Sequence, residues 1–401
     1  MSREYERTHP WMSFDLRHVN RFSPQLWLML GEARSKCQNL AGVPLKPAVA
    51  EQLEWVTLIK GAHATTAIEG NTLSEEQVAG IATGTFKAPP SREYQEQEVR
   101  NVIGALNHID DMIRDGVYPK LTVEMVCGFN RRVLDGLEEE LEAGTIPGKI
   151  RTHSVAVGKY RGAPAEDCEY LLARLCDWLE GPDFQNVDDS VDFSLMLMRA
   201  VMAHLYLAWI HPFGDGNGRT ARLIEYVILA RSGKVPLPAA HLLSNHYNLT
   251  RDQYYRELER ASASGGDIIP FSAYAIEGFV DGIRGEIDTV RHHQLLVAWQ
   301  NYVHETMHRF PAGKACDRQR DVVLAMEEGR WYGRAEIESL TGAIARKYGM
   351  GGDRMVTRDL NRLVKAGLLR RSTRGRYRVA VDKMAAFLPH VASPHDENET
   401  S

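Results

Sequence analysis

The sequence predicts an all-α chain: an N-terminal helical domain, a helical core broken by one short β-hairpin, and a small C-terminal module closing on two strands. Three observations carry this. Most segments repeat apolar residues at helical spacing or are apolar on every face, one segment alternates with period two, and the charge balance inverts past Pro311-Ala312-Gly313. With 401 residues and 44% hydrophobic composition, two to four domains with buried cores are expected. A formal charge of −5 spread over this length excludes a global electrostatic attraction to nucleic acid or to a membrane.

Residues 1–95 read as the N-terminal domain, with helices from Pro24 to about Gln38 and from Pro47 to Ile68; Pro47 suits a first helical turn. Thr65 and Glu69 share a face, and Gly70 suits the position just past a helix end. The Glu69 carboxylate therefore stands at a helix C-terminus, where the dipole opposes it, either solvated or paired with a cation. Ser74-Glu75-Glu76-Gln77 opens the next helix with a capping box. Helices from about Ser91 to Asp115 and Thr122 to Leu134 follow, then the alternating stretch Lys149 to Tyr160, which predicts the hairpin.

Phe193 to Ile210 is apolar on nearly every face and reads as a buried helix, with Arg199 and His204 arguing against a membrane span. Pro212 ends it near His211. Gly214-Asp215-Gly216-Asn217-Gly218 forms a loop, and a helix with the buried stripe Leu223, Ile224, Val227 and Ile228 starts at Arg219. Helices near Phe271 to Val290 and on to about Met307 complete residues 96–310. Five cysteines (Cys37, Cys127, Cys168, Cys176, Cys316) lack CxxC or Cys/His spacing, so neither a disulfide framework nor a zinc site is expected. The charged N-terminal stretch carries no signal-peptide pattern, and a cytoplasmic location is expected.

His211 to Arg222 concentrates a base, a carboxylate, glycines and two arginines. A helix N-terminus attracts phosphate, whereas Arg219 and Arg222 at that end are disfavoured by the dipole unless an anion lies between them and the loop. A polyphosphate fits, with Asp215 able to hold a divalent cation against it and His211 able to take a proton from an attacking hydroxyl.

This run resembles the Fic-domain signature HPFx(D/E)GNGRxxR at every signature position. The resemblance implies a Fic helical core that transfers AMP from ATP to a hydroxyl side chain of target proteins, or of the chain itself. It makes His211 the general base, Asp215 the ligand of Mg²⁺ or Mn²⁺, and Gly216, Asn217 and Gly218 the anion-hole loop. Arg219 and Arg222 would hold the outer phosphates, with Phe213 packed beneath the loop. TTAIEGN resembles the inhibitory motif (S/T)xxxE(G/N) of the class whose inhibitory helix is N-terminal, in which Glu69 pairs with Arg222. The segment containing Arg151, Thr152, His153, Ser154 and Val155 resembles the family's flap, and Tyr254 or Tyr255 would face adenine. Removal of AMP by the same site is the alternative that the resemblance leaves open.

From Gly313 to Lys383, seventeen Lys and Arg face nine Asp and Glu. Helices Asp317–Glu328, Arg334–Arg346 and Asp353–Gly367, then strands Leu368–Arg371 and Arg376–Val379, resemble a winged helix-turn-helix domain over 313–385. Arg354, Arg358 and Arg362 fall on one face of its third helix, diluted by Asp353 and Asp359. Two functions are open for it: DNA binding, with the core as a nucleotide sensor, or docking to a target or a second copy as a homodimer. Residues 386–401 read as a disordered tail.

Overall fold

The computed structural model describes residues 2–118, 120–158, 160–185, 188–349 and 353–384, so the expected tail lies outside the described residues. The chain divides into two compact units, the first ending at Ile287 and the second beginning at Asp288.

The first unit opens with α1 (Glu4–Thr8), α2 (Pro24–Ala41), α3 (Pro47–Ala67), α4 (Glu75–Thr83), α5 (Glu93–Arg114) and α6 (Val123–Val133). Their starts obey local chemistry. Ser23 accepts from the Leu26 N–H ahead of Pro24, Thr122 caps α6, and Ser74 and Gln77 form the reciprocal capping box of α4. After α7 (Cys168–Leu179) comes α8 (Asp189–Ile210), then α9 (Asn217–Ala230), α10 (Leu237–Ala240), α11 (Leu242–Leu249) and α12 (Arg251–Ala263). α8 is long and apolar enough to cross a bilayer, yet most of it is buried inside the fold. Leu197, Ala200, Val201, Met202, Ala203, Leu205 and Ile210 are sealed in a core shared with α2, α7 and α9. Arg199 is paired with Glu180 just past α7. α8 and α9 pack along their lengths, while α3 and α6 flank α9.

Two expectations change here. The hairpin is shorter than the alternation suggested: only β1 (Ala156–Val157) pairs antiparallel with β2 (Tyr160–Arg161), in register 156↔161 and 157↔160. Residues 149–155 lie outside it because Arg151 turns inward and bonds the end of α8 instead of a partner strand. The two helices expected from Phe271 to Met307 are one continuous helix, α13 (Ile269–His308), with no proline between them to break it.

The second unit continues α13 with α14 (Lys314–Ala325), α15 (Arg334–Glu338), α16 (Gly342–Gly349), α17 (Asp353–Lys365) and an antiparallel hairpin, β3 (Leu369–Arg371) and β4 (Tyr377–Val379). An isolated bridge from Tyr332 to Tyr377 extends the hairpin. The single helix expected over 334–346 is split because Thr341 turns its hydroxyl to the Ile344 N–H and starts α16 anew. Asp359 is fully buried, accepting from Arg318 and Gln319, so it does not dilute the outer face of α17.

Candidate active site

The turn between α8 and α9 starts with an unusual backbone. His211 has φ +50°, a region sparsely used by residues other than glycine, and it precedes a proline that disfavours the right-handed helical alternative. Arg151 over-determines this conformation. It is 4% exposed, and its guanidinium donates to the carbonyls of His211 (2.7 Å), His153 (2.6 Å), Ala163 (2.5 Å) and Ile210 (3.4 Å). Its backbone N–H donates to the Pro212 carbonyl at 2.9 Å. Strain of this kind persists only where surroundings fix it. The His211 Nδ1 lies 3.4 Å from the Ala208 carbonyl, an acceptor only, which assigns the hydrogen to Nδ1 and the lone pair to Nε2. Burial holds the imidazole pKa down to about 4, so at neutral pH the ring is uncharged and able to take a proton.

The loop after it is held by side chains and offers backbone to a ligand. Asn217 accepts from the Phe213 N–H (2.9 Å) and donates to the Phe213 carbonyl (2.8 Å), while the Phe213 ring is buried beneath. Asn130 of α6, also buried, donates to the Asp215 carbonyl (2.9 Å) and accepts from the Gly148 N–H (2.9 Å). Gly216 caps α9 at φ +74°, and a Cβ there would stand 3.0 Å from Asn130 Nδ2.

Both signature arginines are sealed under carboxylates. Arg222 donates from Nη2 to Glu69 Oε1 at 2.5 Å and to the Thr65 carbonyl at 2.9 Å, supplying the cation that the C-terminus of α3 and the Glu69 carboxylate both favour. A methyl group added at Gly218 would sit 2.2 Å from Glu69 Oε1, so this carboxylate lies over the N-terminus of α9, where an anion would bind. Burial pushes the Glu69 carboxyl up, but the charge and hydrogen bond of Arg222, helped by Arg219 and His211, outweigh it and leave its pKa below the ordinary value. Arg219 donates to Glu98 Oε1 of α5 at 2.7 Å and to Asp215 Oδ1 at 3.2 Å. Glu98, Asn130 and Asn71 were not legible as site residues, because nothing in their local sequence points to α9.

These groups line a pocket of about 920 Å³ whose wall includes Glu69, His211, Asp215, Asn217, Gly218, Ser154, Val155, Tyr254 and Tyr255. Neither arginine is among its lining residues. Tyr254 is 3% exposed, hydrogen-bonded to His204 (2.9 Å) and stacked on Tyr247, as a core residue is. Tyr255 is 38% exposed and donates to the Ile68 carbonyl at 3.0 Å, which ties this wall to the end of α3. Arg151 belongs to the turn rather than to the pocket wall. Among the described residues no group of three or more His, Cys, Asp or Glu is arranged to hold a metal. The lone Asp215 carboxylate fits a Mg²⁺ or Mn²⁺ that arrives with most of its ligands as phosphate oxygens and water.

Comparison with known proteins gives the likeness of one segment. Residues 120–229 match the model of the Fic/DOC family. That segment is a Fic domain. Protein adenylyltransferase fic-1 of Caenorhabditis briggsae is 35% identical over 212 residues, covering 52% of this chain and 37% of that protein. Protein adenylyltransferase Fic of Nematostella vectensis is 28% identical over 258 residues, covering 64% of this chain and 54% of that one. The chain thus spans about a third to a half of the length of these curated relatives. Among solved structures, Fic-1 from C. elegans superposes with a TM-score of 0.52 at 26% identity, over 66% of this chain and 72% of that one. A Fic family protein from Desulfovibrio desulfuricans shares the fold, with a TM-score of 0.55 at 22% identity, over 89% of this chain and 96% of that one.

Proposed function

We propose that this chain is an auto-inhibited protein adenylyltransferase. A target hydroxyl on the pocket side of His211 gives its proton to Nε2, its oxygen bonds to the α-phosphorus of ATP, and pyrophosphate leaves. A divalent cation at Asp215, when bound, neutralises phosphate charge. Backbone N–H groups at the start of α9 receive the phosphates, and the outer ones are held by Arg222, once released from Glu69, and by Arg219, once its Nη2 leaves Asp215. The observation that carries this reading is the Glu69–Arg222 pair lying over the N-terminus of α9, since the same contact withholds the arginine and fills the anion site.

The test is intact mass after incubation with ATP and Mg²⁺. Glu69→Gly should gain the mass of an adenylyl group per event, far faster than the wild type, because misplacement of a reacting phosphate by about 1 Å is worth roughly 10²-fold. Glu69→Gly/His211→Ala should gain none. Equal, low incorporation by Glu69→Gly and the wild type sinks the reading. Removal of AMP from a modified target remains a second reading, supported by the 31% exposure of the Glu69 side chain at the pocket wall, from which it could orient a water.

For the second unit we propose a winged helix that binds duplex DNA. The support is the outer face of α17, where Arg354, Thr357, Arg358 and Asn361 line a shallow hollow with Arg334. Arg362 instead packs its guanidinium over the Phe310 ring.

A further inference from the structure

Glu98 is unused in the mechanism so far, yet it is the best-placed carboxylate behind the signature. It lies on α5, with 15% of its side chain exposed, and receives Arg219 Nη1 at 2.7 Å. Its second oxygen accepts from Asn71 Nδ2 at 3.0 Å. Asn71 is itself pinned: Nδ2 also donates to the Gln95 carbonyl (2.9 Å), and Oδ1 accepts from the Leu73 N–H (3.1 Å). Gln95 in turn accepts from the backbone and hydroxyl of Thr72. The turn just past Glu69 is therefore stapled to α5 beside Glu98.

We propose that Glu98 is the positioning residue for Arg219, holding Nη1 throughout while Nη2 passes from Asp215 to a phosphate oxygen of ATP. This rests on the adenylyltransferase reading above. An arginine at the start of a helix is opposed by the dipole and has several freely turning bonds, so without a fixed partner its guanidinium has no single direction. A mostly buried carboxylate held at its other oxygen supplies that direction by a charge-assisted bond. Asp215 cannot serve, because a cation drawn in with the phosphates competes for the same oxygens. Glu98 is not part of the pocket wall and acts only through Arg219.

Arg219 acts on the outer phosphates in this scheme, so the telling contrast is ATP against AMP. In the 401-residue Glu69→Gly chain with Mg²⁺, calorimetry should find that Glu98→Ala weakens ATP binding about tenfold while AMP binding stays unchanged. Asn71→Ala, at a residue outside the pocket wall, should weaken ATP alone by a smaller factor. Glu98→Gln, which keeps an oxygen for Arg219, should recover part of the loss. Equal weakening of ATP and AMP would mean that Glu98 is merely structural, and unaltered ATP binding would mean that Arg219 needs no guide; either overturns the proposal. Faster AMP incorporation by Glu98→Ala in a chain that keeps Glu69 would also overturn it, since Glu98 would then be a restraint. Failure of Glu69→Gly to incorporate AMP would instead sink the adenylyltransferase reading, and the two binding measurements would still report on Glu98.

Discussion

His211 must be uncharged to act as a base, and the same burial that keeps it uncharged also makes it a weaker one. Its pKa, held down to about 4, sets the sign of the pH dependence. A histidine at its ordinary 6.5 would lose its base form as pH falls from about 7 to about 5, whereas this one keeps it. Removing Glu69 takes away a negative charge that raises the pKa, so the acid limb of Glu69→Gly moves lower still. The rate of AMP incorporation by that variant at saturating ATP should be nearly flat between about pH 8 and about pH 5. A tenfold fall over that span would mean that the ring titrates near its ordinary value and that the burial argument is wrong.

At the scale of elements, the loop between α8 and α9 is shaped by neighbours from outside it. Arg151 reaches four carbonyls around the His211 turn, and Asn130 holds the Asp215 carbonyl from α6. Lysine offers a single point of charge where the planar guanidinium spans several acceptors, so Arg151→Lys should leave buried carbonyls unpaired. A loss of about 2–4 kcal/mol in urea-induced unfolding is expected, together with slower AMP incorporation as the strained backbone at His211 relaxes. Unchanged stability would mean that Pro212 and the loop set the turn without the arginine.

At the scale of the whole molecule, the two units carry different chemistry. In the proposed reading the first binds its anion through backbone N–H groups and sealed arginines, while the second presents arginine on the outer side of α17. The 401-residue chain should bind duplex DNA with an affinity that falls as salt rises, and Arg354→Ala and Arg358→Ala should each lower the log–log salt slope by about 1. Absence of binding at low salt would leave docking to a protein, or to a second copy, as the role of this unit. AMP incorporation should be unaffected by either substitution, since neither residue lines the pocket of the first unit.

The order of helices, the end of α8 and the residues of the active loop were legible in the sequence because each depends on local chemistry. Pro212 disfavours the helical conformation at His211, glycines permit the turn, Ser23 and Ser74 cap α2 and α4, and the density of charged and glycine residues from His211 to Arg222 marks the loop that lines the pocket. Glu69 was legible as a carboxylate in need of a cation. That the cation is Arg222 came from the resemblance of TTAIEGN to the inhibitory motif and not from local chemistry, whereas that Glu98 and Asn71 stand behind Arg219, and that Arg151 serves the turn and not a strand, were decided only by the fold. These contacts join positions far apart in the chain: 153 residues separate Glu69 from Arg222, 121 separate Glu98 from Arg219, and 60 separate Arg151 from His211. Periodicity and capping act within a few residues, whereas a buried arginine takes whichever carboxylate or carbonyl packing brings to it.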